Sequence, residues 1–252
     1  MAQAASLGSV TGRGAAWHAT WFGGHLTRNR YGSLVTTLQH VLFDADGVLQ
    51  EIPGGFYHAA EPLLGERTRE ILNLASEHER PLLASDDDFL PVLDRVLRQY
   101  DLDVPAADLY TAVWQNIAAS PTSLDLVRGL RDAGYGVHLG TNQVRRRADH
   151  MRATLPYDEL FDVKLYSCDL GVAKPDAAFF QKAATRIGAE PAAILFIDDH
   201  SPNVEGARST GMAAVHWRIS EGHDALLERL TGHGVAPDVG PGPDNAGADA
   251  SA

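Results

Sequence analysis

Four short stretches of this chain place oxygen and nitrogen groups where chemistry can be done. The first is Asp44-Ala45-Asp46-Gly47, reached through the apolar run Val41-Leu42-Phe43. A short apolar run that ends in a turn signal reads as a buried strand. Asp44 then stands at the strand's carboxyl end, where open α/β sheets gather their ligands. In an extended backbone Asp44 and Asp46 project to the same side, and Gly47 lets the chain turn away sharply. Two carboxylates so placed can hold a hard cation and leave one oxygen free to react. Taken alone, the same stretch also reads as a strand followed by an ordinary polar turn, because Asp and Gly favour turns.

The other three stretches lie further along. The run 137–140 ends in Thr141-Asn142, a loop carries Gly171-Val172-Ala173-Lys174-Pro175, and the run 193–197 ends in Asp198-Asp199. Each has a plainer reading. Thr141 and the Asp198-Asp199 pair suit helix caps, and Lys174 suits a solvated loop, where a lysine contributes little to a core. In a parallel sheet, however, all carboxyl ends share one edge, so these groups can converge. A hydroxyl, amides, a lysine and three or four carboxylates are equipment for moving a phosphoryl group. A cation and the lysine neutralise phosphate oxygens while a carboxylate attacks.

The elements that must position these groups are legible in outline. Strand and helix alternate from residue 121 to 230, which implies a parallel sheet with helices on both faces. Between 59 and 117 the apolar residues fall at helical spacing instead, as at Leu63, Leu64, Ile71, Leu72 and Leu74, then Phe89, Leu90, Leu93, Val96 and Leu97. The expected fold is therefore α/β, a Rossmann-like parallel sheet carrying an inserted all-helical subdomain of three or four helices. The divisions are 1–38, a poorly ordered extension with Trp17, Trp21 and Phe22 interspersed; 39–49 and 121–231, the α/β core; 50–120, the helical insert; and 232–252, a disordered tail of Gly, Pro, Ala and Asp. Ser85 before Asp86-Asp87-Asp88 reads as a cap with acids in a first helical turn. Arg145-Arg146-Arg147 reads as a solvated helix face with acidic partners nearby.

Composition narrows the partners. The 252 residues carry 21 Lys+Arg against 33 Asp+Glu, a net charge of -12. That balance argues against a nucleic-acid groove or an anionic membrane surface. The single Cys168 excludes an internal disulfide and fits a reducing, cytoplasmic setting. No run approaches the roughly 18–20 apolar residues of a membrane span, and the N-terminal residues carry no secretory pattern.

In the order and nature of the four stretches the chain resembles the haloacid dehalogenase-like (HAD) hydrolase superfamily, over about residues 40 to 218. The family's first motif is matched by Asp44-Ala45-Asp46-Gly47-Val48, its second by Thr141, its third by Lys174 and its fourth by Ile197-Asp198-Asp199. The insert between the first two resembles the family's cap. The resemblance implies a phosphatase-type member in which Asp44 attacks phosphorus and becomes an aspartyl phosphate. Asp46 would serve as acid and then base. It implies Mg²⁺ on a side-chain oxygen of Asp44, the backbone carbonyl of Asp46, and Asp199, with Asp198 adjoining. Thr141 and the amide of Asn142 would hold phosphate oxygens, and Lys174 would offset the charge of Asp44 and the phosphate. The substrate expected is a small phosphorylated metabolite, for example a sugar phosphate. Two departures stand out: Gln50-Glu51-Ile52 where many members have Asp followed by Ser or Thr, and Asn203 four residues after Asp199 where a second Asp is frequent.

Three alternatives share these residues. A phosphomutase uses the same groups but excludes water. A 2-haloacid dehalogenase of this family needs no metal and lacks the second aspartate, whereas Asp46 is present. A catalytically idle binding protein is disfavoured because no motif position is lost.

Overall fold

The computed structural model describes residues 26–28 and 34–238. Its centre is β1 (His40–Phe43), whose Val41, Leu42 and Phe43 are almost wholly buried. A strand apolar on both faces belongs in the middle of a covered parallel sheet. The neighbours are β2 (Gly136–Thr141), β3 (Val163–Tyr166), β4 (Ile194–Asp198) and β5 (Ala213–His216), in the spatial order β3-β2-β1-β4-β5. All pairings are parallel. Because side chains alternate, β1 feeds two cores. Val41 and Phe43 pack with Val127, Leu139, Met151 and Trp217 on one face, and Leu42 packs with Phe179, Phe180 and Phe196 on the other.

Phe43 is in register with both Leu139 and Ile197. The residues that follow these partners therefore emerge on one edge. The chain leaves β1 in one direction through β2 and β3, then crosses back to β4 on the opposite side. That reversal at β1 creates the crevice in which open α/β sheets bind ligands.

Between β1 and β2 lies the helical insert, with α1 (Phe56–Leu64), α2 (Thr68–Glu79), α3 (Leu90–Gln99) and α4 (Ala106–Val113). It has its own core, including Ile71, Leu72, Phe89, Leu93, Tyr110 and Trp114, into which Val144 of the sheet domain also packs. The strands Gln50–Glu51 and Ala118–Ala119 pair antiparallel where the chain enters and leaves the insert. The remaining α-helices longer than one turn are α5 (Pro121–Asp132), α6 (Arg145–Thr154), α7 (Ala177–Ile187), α8 (Ser201–Ser209) and α9 (His223–Gly232). No helix among the described residues is long and apolar enough to cross a membrane.

Three local features differ from the expectation. Helix α3 starts at Leu90, after the acidic run, with Asp88 Oδ1 accepting from the Leu90 N–H at 3.2 Å. Packing continues past residue 232. Val235 is fully buried in the sheet domain's core, and the Asp238 N–H donates to Gly129 O at 2.8 Å. Within 1–38, Leu26–Arg28 pairs antiparallel with Leu34–Thr36. The aromatic residues Trp17, Trp21 and Phe22 lie outside the described residues.

Candidate active site

The site begins with Lys174. Its ammonium is completely buried between Asp44 Oδ1 at 2.8 Å and Asp198 Oδ2 at 2.7 Å. The loop that carries it is clamped by Asn142, whose Nδ2 donates to Lys174 O and whose Oδ1 accepts from the Lys174 N–H, both at 2.9 Å. Burial opposes the charge on Lys174, but Asp198 and Asp44 outweigh it and raise its pKa. Asp198 is fully buried, and besides Lys174 it accepts from the His200 N–H and from Asn203 Nδ2. Asn203, which departs from the family's frequent Asp, thus helps hold the anchor of Lys174.

Asp44 also accepts from the Ala45 N–H at 2.7 Å. Burial pushes its carboxyl up against the pull of Lys174, and Asp198 adds to the rise. Asp199, half-buried, is raised by burial and by Asp198. Gly47 explains how Asp199 comes so close. Its φ is +75°, and a Cβ there would lie 2.5 Å from Asp199 Oδ2, so only glycine fits. Asp44, Asp198 and Asp199 each bring an oxygen within 4.8 Å of the others. Three carboxylates around one ammonium leave an excess of two negative charges, and all the donors are hard oxygens. That donor set suits a divalent cation such as Mg²⁺.

Asp46 faces different partners from Asp44, unlike the expectation that the two project together. Arg147 holds it bidentately, Nη1 to Oδ2 at 2.5 Å and Nη2 to Oδ1 at 2.8 Å. Gln50 Nε2 donates to Oδ1 at 2.9 Å and Gln143 Nε2 to Oδ2 at 2.8 Å. Burial works against ionisation, yet the guanidinium and the amides outweigh it and hold the Asp46 carboxyl at about 2. Thr141 closes β2 and is buried, its Oγ1 accepting from Gln143 Nε2 at 2.9 Å.

Arg147 is not on a solvated face. It is buried, and its Nε also donates to Trp114 O at 2.6 Å, the residue that follows α4. Its two neighbours grip the insert as well. Arg145 Nε donates to Asp86 Oδ1 at 2.5 Å, and Arg146 Nη2 to Asp88 Oδ2 at 2.7 Å. The start of α6 is therefore a three-pronged clasp on the insert, and the acidic run is its counterpart.

Above Asp46 and Arg147 lies a cavity of about 490 Å³, walled by Ile52, Phe56, Ser76, Glu79 and Trp114 from the insert side and by Asn142 and Gln143 from the sheet side. The sequence reading proposed Asp44, Asp46, Thr141, Asn142, Lys174, Asp198 and Asp199, and all seven lie along one edge of the sheet. It missed Gln50, Gln143, Arg147 and Glu79. Gln143 lies just before α6 and Arg147 in its first turn, and Arg147 Nη1 donates to Gln143 Oε1 at 2.8 Å.

A parallel sheet covered by helices, with polar groups gathered at one edge and a helical insert after the strand that ends at Asp44, is the architecture of a class of α/β hydrolases. The sequence profile of the haloacid dehalogenase-like hydrolases matches residues 38–211, and the chain belongs to that family. Phosphatase MT3486 of Mycobacterium tuberculosis is 31% identical over 226 residues, covering 82% of this chain and all of the relative. The (S)-2-haloacid dehalogenase 4A of Burkholderia cepacia is 24% identical over 194 residues, 72% of this chain and 84% of its own. Among solved structures, a HAD family enzyme of Bacteroides thetaiotaomicron in complex with magnesium and inorganic phosphate shares the fold. Its TM-score is 0.62 at 20% identity, over 75% of this chain and 99% of that one.

Proposed function

We propose that this HAD-family hydrolase is a Mg²⁺-dependent phosphatase that hydrolyses a small phosphorylated metabolite through an aspartyl phosphate on Asp44. The observation that carries the reading is the Asp44–Lys174–Asp198 row with Asp199 beside it. It combines a reactive carboxylate, a buried cation and an unbalanced negative charge that a divalent ion offsets. The phosphatase relative and the magnesium- and phosphate-bound neighbour support it.

Asp44, Asp199 and the Asp46 carbonyl would hold Mg²⁺, with Asp198 adjoining and fixing Lys174. The ion would neutralise phosphate oxygens and polarise phosphorus. Lys174 lowers the repulsion between the Asp44 carboxylate and the arriving phosphate. Thr141 and the Asn142 amide would bind phosphate oxygens, and the helical insert would serve as the cap. The Asp44 oxygen forms a bond to phosphorus as the bond to the leaving oxygen breaks. Asp46, ionised, would then take a proton from the water that cleaves the phosphoenzyme, a step that needs the hold of Arg147 on it to loosen, because a carboxylate held at about 2 is a weak base. Giving a proton to the leaving oxygen in the first step requires Asp46 to be loaded against the pull of Arg147.

The test is phosphate release from a panel of esters, nitrophenyl phosphate included, with Mg²⁺ and with chelator. Release should vanish in chelator and return with Mg²⁺. Asp44→Asn should be inert. Asp46→Asn with nitrophenyl phosphate should accumulate an acid-stable phosphoryl adduct on the peptide containing Asp44. Release unaffected by chelator, or an adduct elsewhere, would refute the reading.

A further inference from the structure

The cavity above Asp46 has a charge character that the chemistry of phosphate cleavage does not explain. Of its lining residues only Arg147 is basic; the ionisable others are Asp46, Glu51 and Glu79. Arg147 already spends four of its five N–H donors on the protein. Its Nε is given to Trp114 O, Nη1 to Asp46 Oδ2 and Gln143 Oε1, and Nη2 to Asp46 Oδ1. Its charge is cancelled by Asp46 at hydrogen-bonding distance. Lys174, the other cation of the site, lies between Asp44 and Asp198 and serves the phosphate end. The wall that faces the rest of the substrate is left with two carboxyls, Glu51 and Glu79.

Glu79 closes α2, one helical turn after Ser76, which also lines the cavity. Burial pushes its carboxyl up to about 7, against a hydrogen bond from the Trp114 side chain and the field of Arg147. Trp114 and Phe56 meet edge to face with centroids 5.5 Å apart, so they offer an aromatic surface beside the carboxyl. A carboxyl next to aromatic rings accepts hydrogen bonds from hydroxyl or ammonium groups, and the rings take C–H faces or the cation itself.

Resting on the phosphatase reading, we propose that this pocket selects phosphate monoesters whose leaving group is neutral or cationic, carries hydroxyl or ammonium donors and bears no second anion, with Glu79 as the residue that decides it. A polyol or aminoalkyl phosphate meets an acceptor in Glu79 and an apolar face on Phe56 and Trp114. Above pH 7, where Glu79 is ionised, a carboxylate or second phosphate in the same place faces it, with the exposed Glu51 beside it and no cation that is not already paired, and such like charges disfavour a partner. The same wall offers no anchor for the carboxylate of a 2-haloacid.

The experiment compares kcat/KM for glycerol 3-phosphate, phosphoethanolamine and phosphoglycolate in Mg²⁺, with nitrophenyl phosphate as the measure of phosphatase competence. Wild type should prefer the first two over phosphoglycolate by at least about 10²-fold, the scale of a desolvated charge mismatch. Glu79→Lys should shrink or invert that ratio. The near-isosteric Glu79→Gln should lower the ratio of phosphoethanolamine to glycerol 3-phosphate, because an amide accepts from a hydroxyl but does not balance an ammonium. Wild type turning over phosphoglycolate as well as glycerol 3-phosphate would overturn the inference while nitrophenyl phosphate hydrolysis left the phosphatase reading standing. So would ratios unmoved in both variants, or turnover of 2-chloropropionate. No release from any ester, nitrophenyl phosphate included, would overturn the phosphatase reading and this inference with it.

Discussion

Replacing Lys174 by Met tests the electrostatics of the site through stability as well as rate. The side chain is fully buried between Asp44 and Asp198, themselves buried. Methionine fills similar volume but leaves two carboxylates facing each other without a cation. Removing one partner of a buried pair costs about 3–5 kcal/mol, because the charge that remains has nowhere to go. One carboxyl must then take up a proton in the folded state. Its pKa lies far above the unfolded value, so the variant's stability falls as pH rises from the unfolded carboxylate range through the folded pKa. Each pH unit is worth about 1.4 kcal/mol to that proton. The gap to wild type should therefore be widest near pH 8 and narrow by more than half near pH 5. Urea unfolding at the two pH values, with unchanged m, measures it. Turnover of nitrophenyl phosphate should fall by at least about 10²-fold. A gap that is absent, or equal at both pH values, would refute the picture of an ammonium whose charge is balanced by its two buried carboxylates.

Three further outcomes follow from other parts of the molecule. Arg147→Met removes the guanidinium from both Asp46 and Trp114 O, so amide exchange in α4 should quicken and the Asp46 carboxyl should climb from about 2 toward the ordinary range; an unchanged exchange pattern would dissolve the clasp. His138 is buried beside His40, and burial with that neighbour lowers it to about 4, so the folded protein should lose stability as pH falls from about 6.5 to 4. A flat stability curve there, or one that His138→Leu leaves unaltered, would contradict it. Ending the chain at Gly232 removes the fully buried Val235 and should cost about 2 kcal/mol, seen as a lower urea midpoint; no shift would mean that this segment adds nothing to the core.

What could be read from the sequence was what each residue's own neighbours determine. Asp44, Thr141 and Asp198 follow apolar runs, so a strand-end position is a local inference, and a parallel sheet then brings them together without knowledge of any contact. Lys174 could be placed on that edge, with a solvated loop as its plainer reading, but its burial could not be read, because that comes from Asp198, 24 residues away, and from the Asn142 clamp. Arg147 was missed for a stronger version of the same reason. Three consecutive arginines look alike, and only the phase of α6 against the sheet sends the third inward to a carboxylate 101 residues distant. The acidic run 86–88 satisfied a local helix-start rule equally well, while its partners lie 58 and 59 residues on. Val235 looked like part of a Gly- and Pro-rich tail because one apolar residue makes no periodic signal. Glu79 lay within an insert whose helices could be counted but not oriented.

The short pairing of Gln50–Glu51 with Ala118–Ala119 brings the two ends of the insert side by side. A segment with adjacent ends can be exchanged in evolution as a cassette: the strands at its base need not move, and neither do Asp44, Thr141, Lys174 and Asp199. On the function proposed above, residues that react and residues that choose therefore lie on separate pieces of chain. Arg145, Arg146 and Arg147 set the terms of such an exchange, since they belong to the recipient but bind Asp86, Asp88 and the carbonyl of Trp114 in the cassette. A foreign cassette without two carboxylates and a carbonyl at those places would strip Arg146 of Asp88 and leave Arg145 and Arg147 with only their sheet-domain partners, Asp169 and Asp46. The fit between insert and sheet domain is therefore written in the first helical turn after Val144.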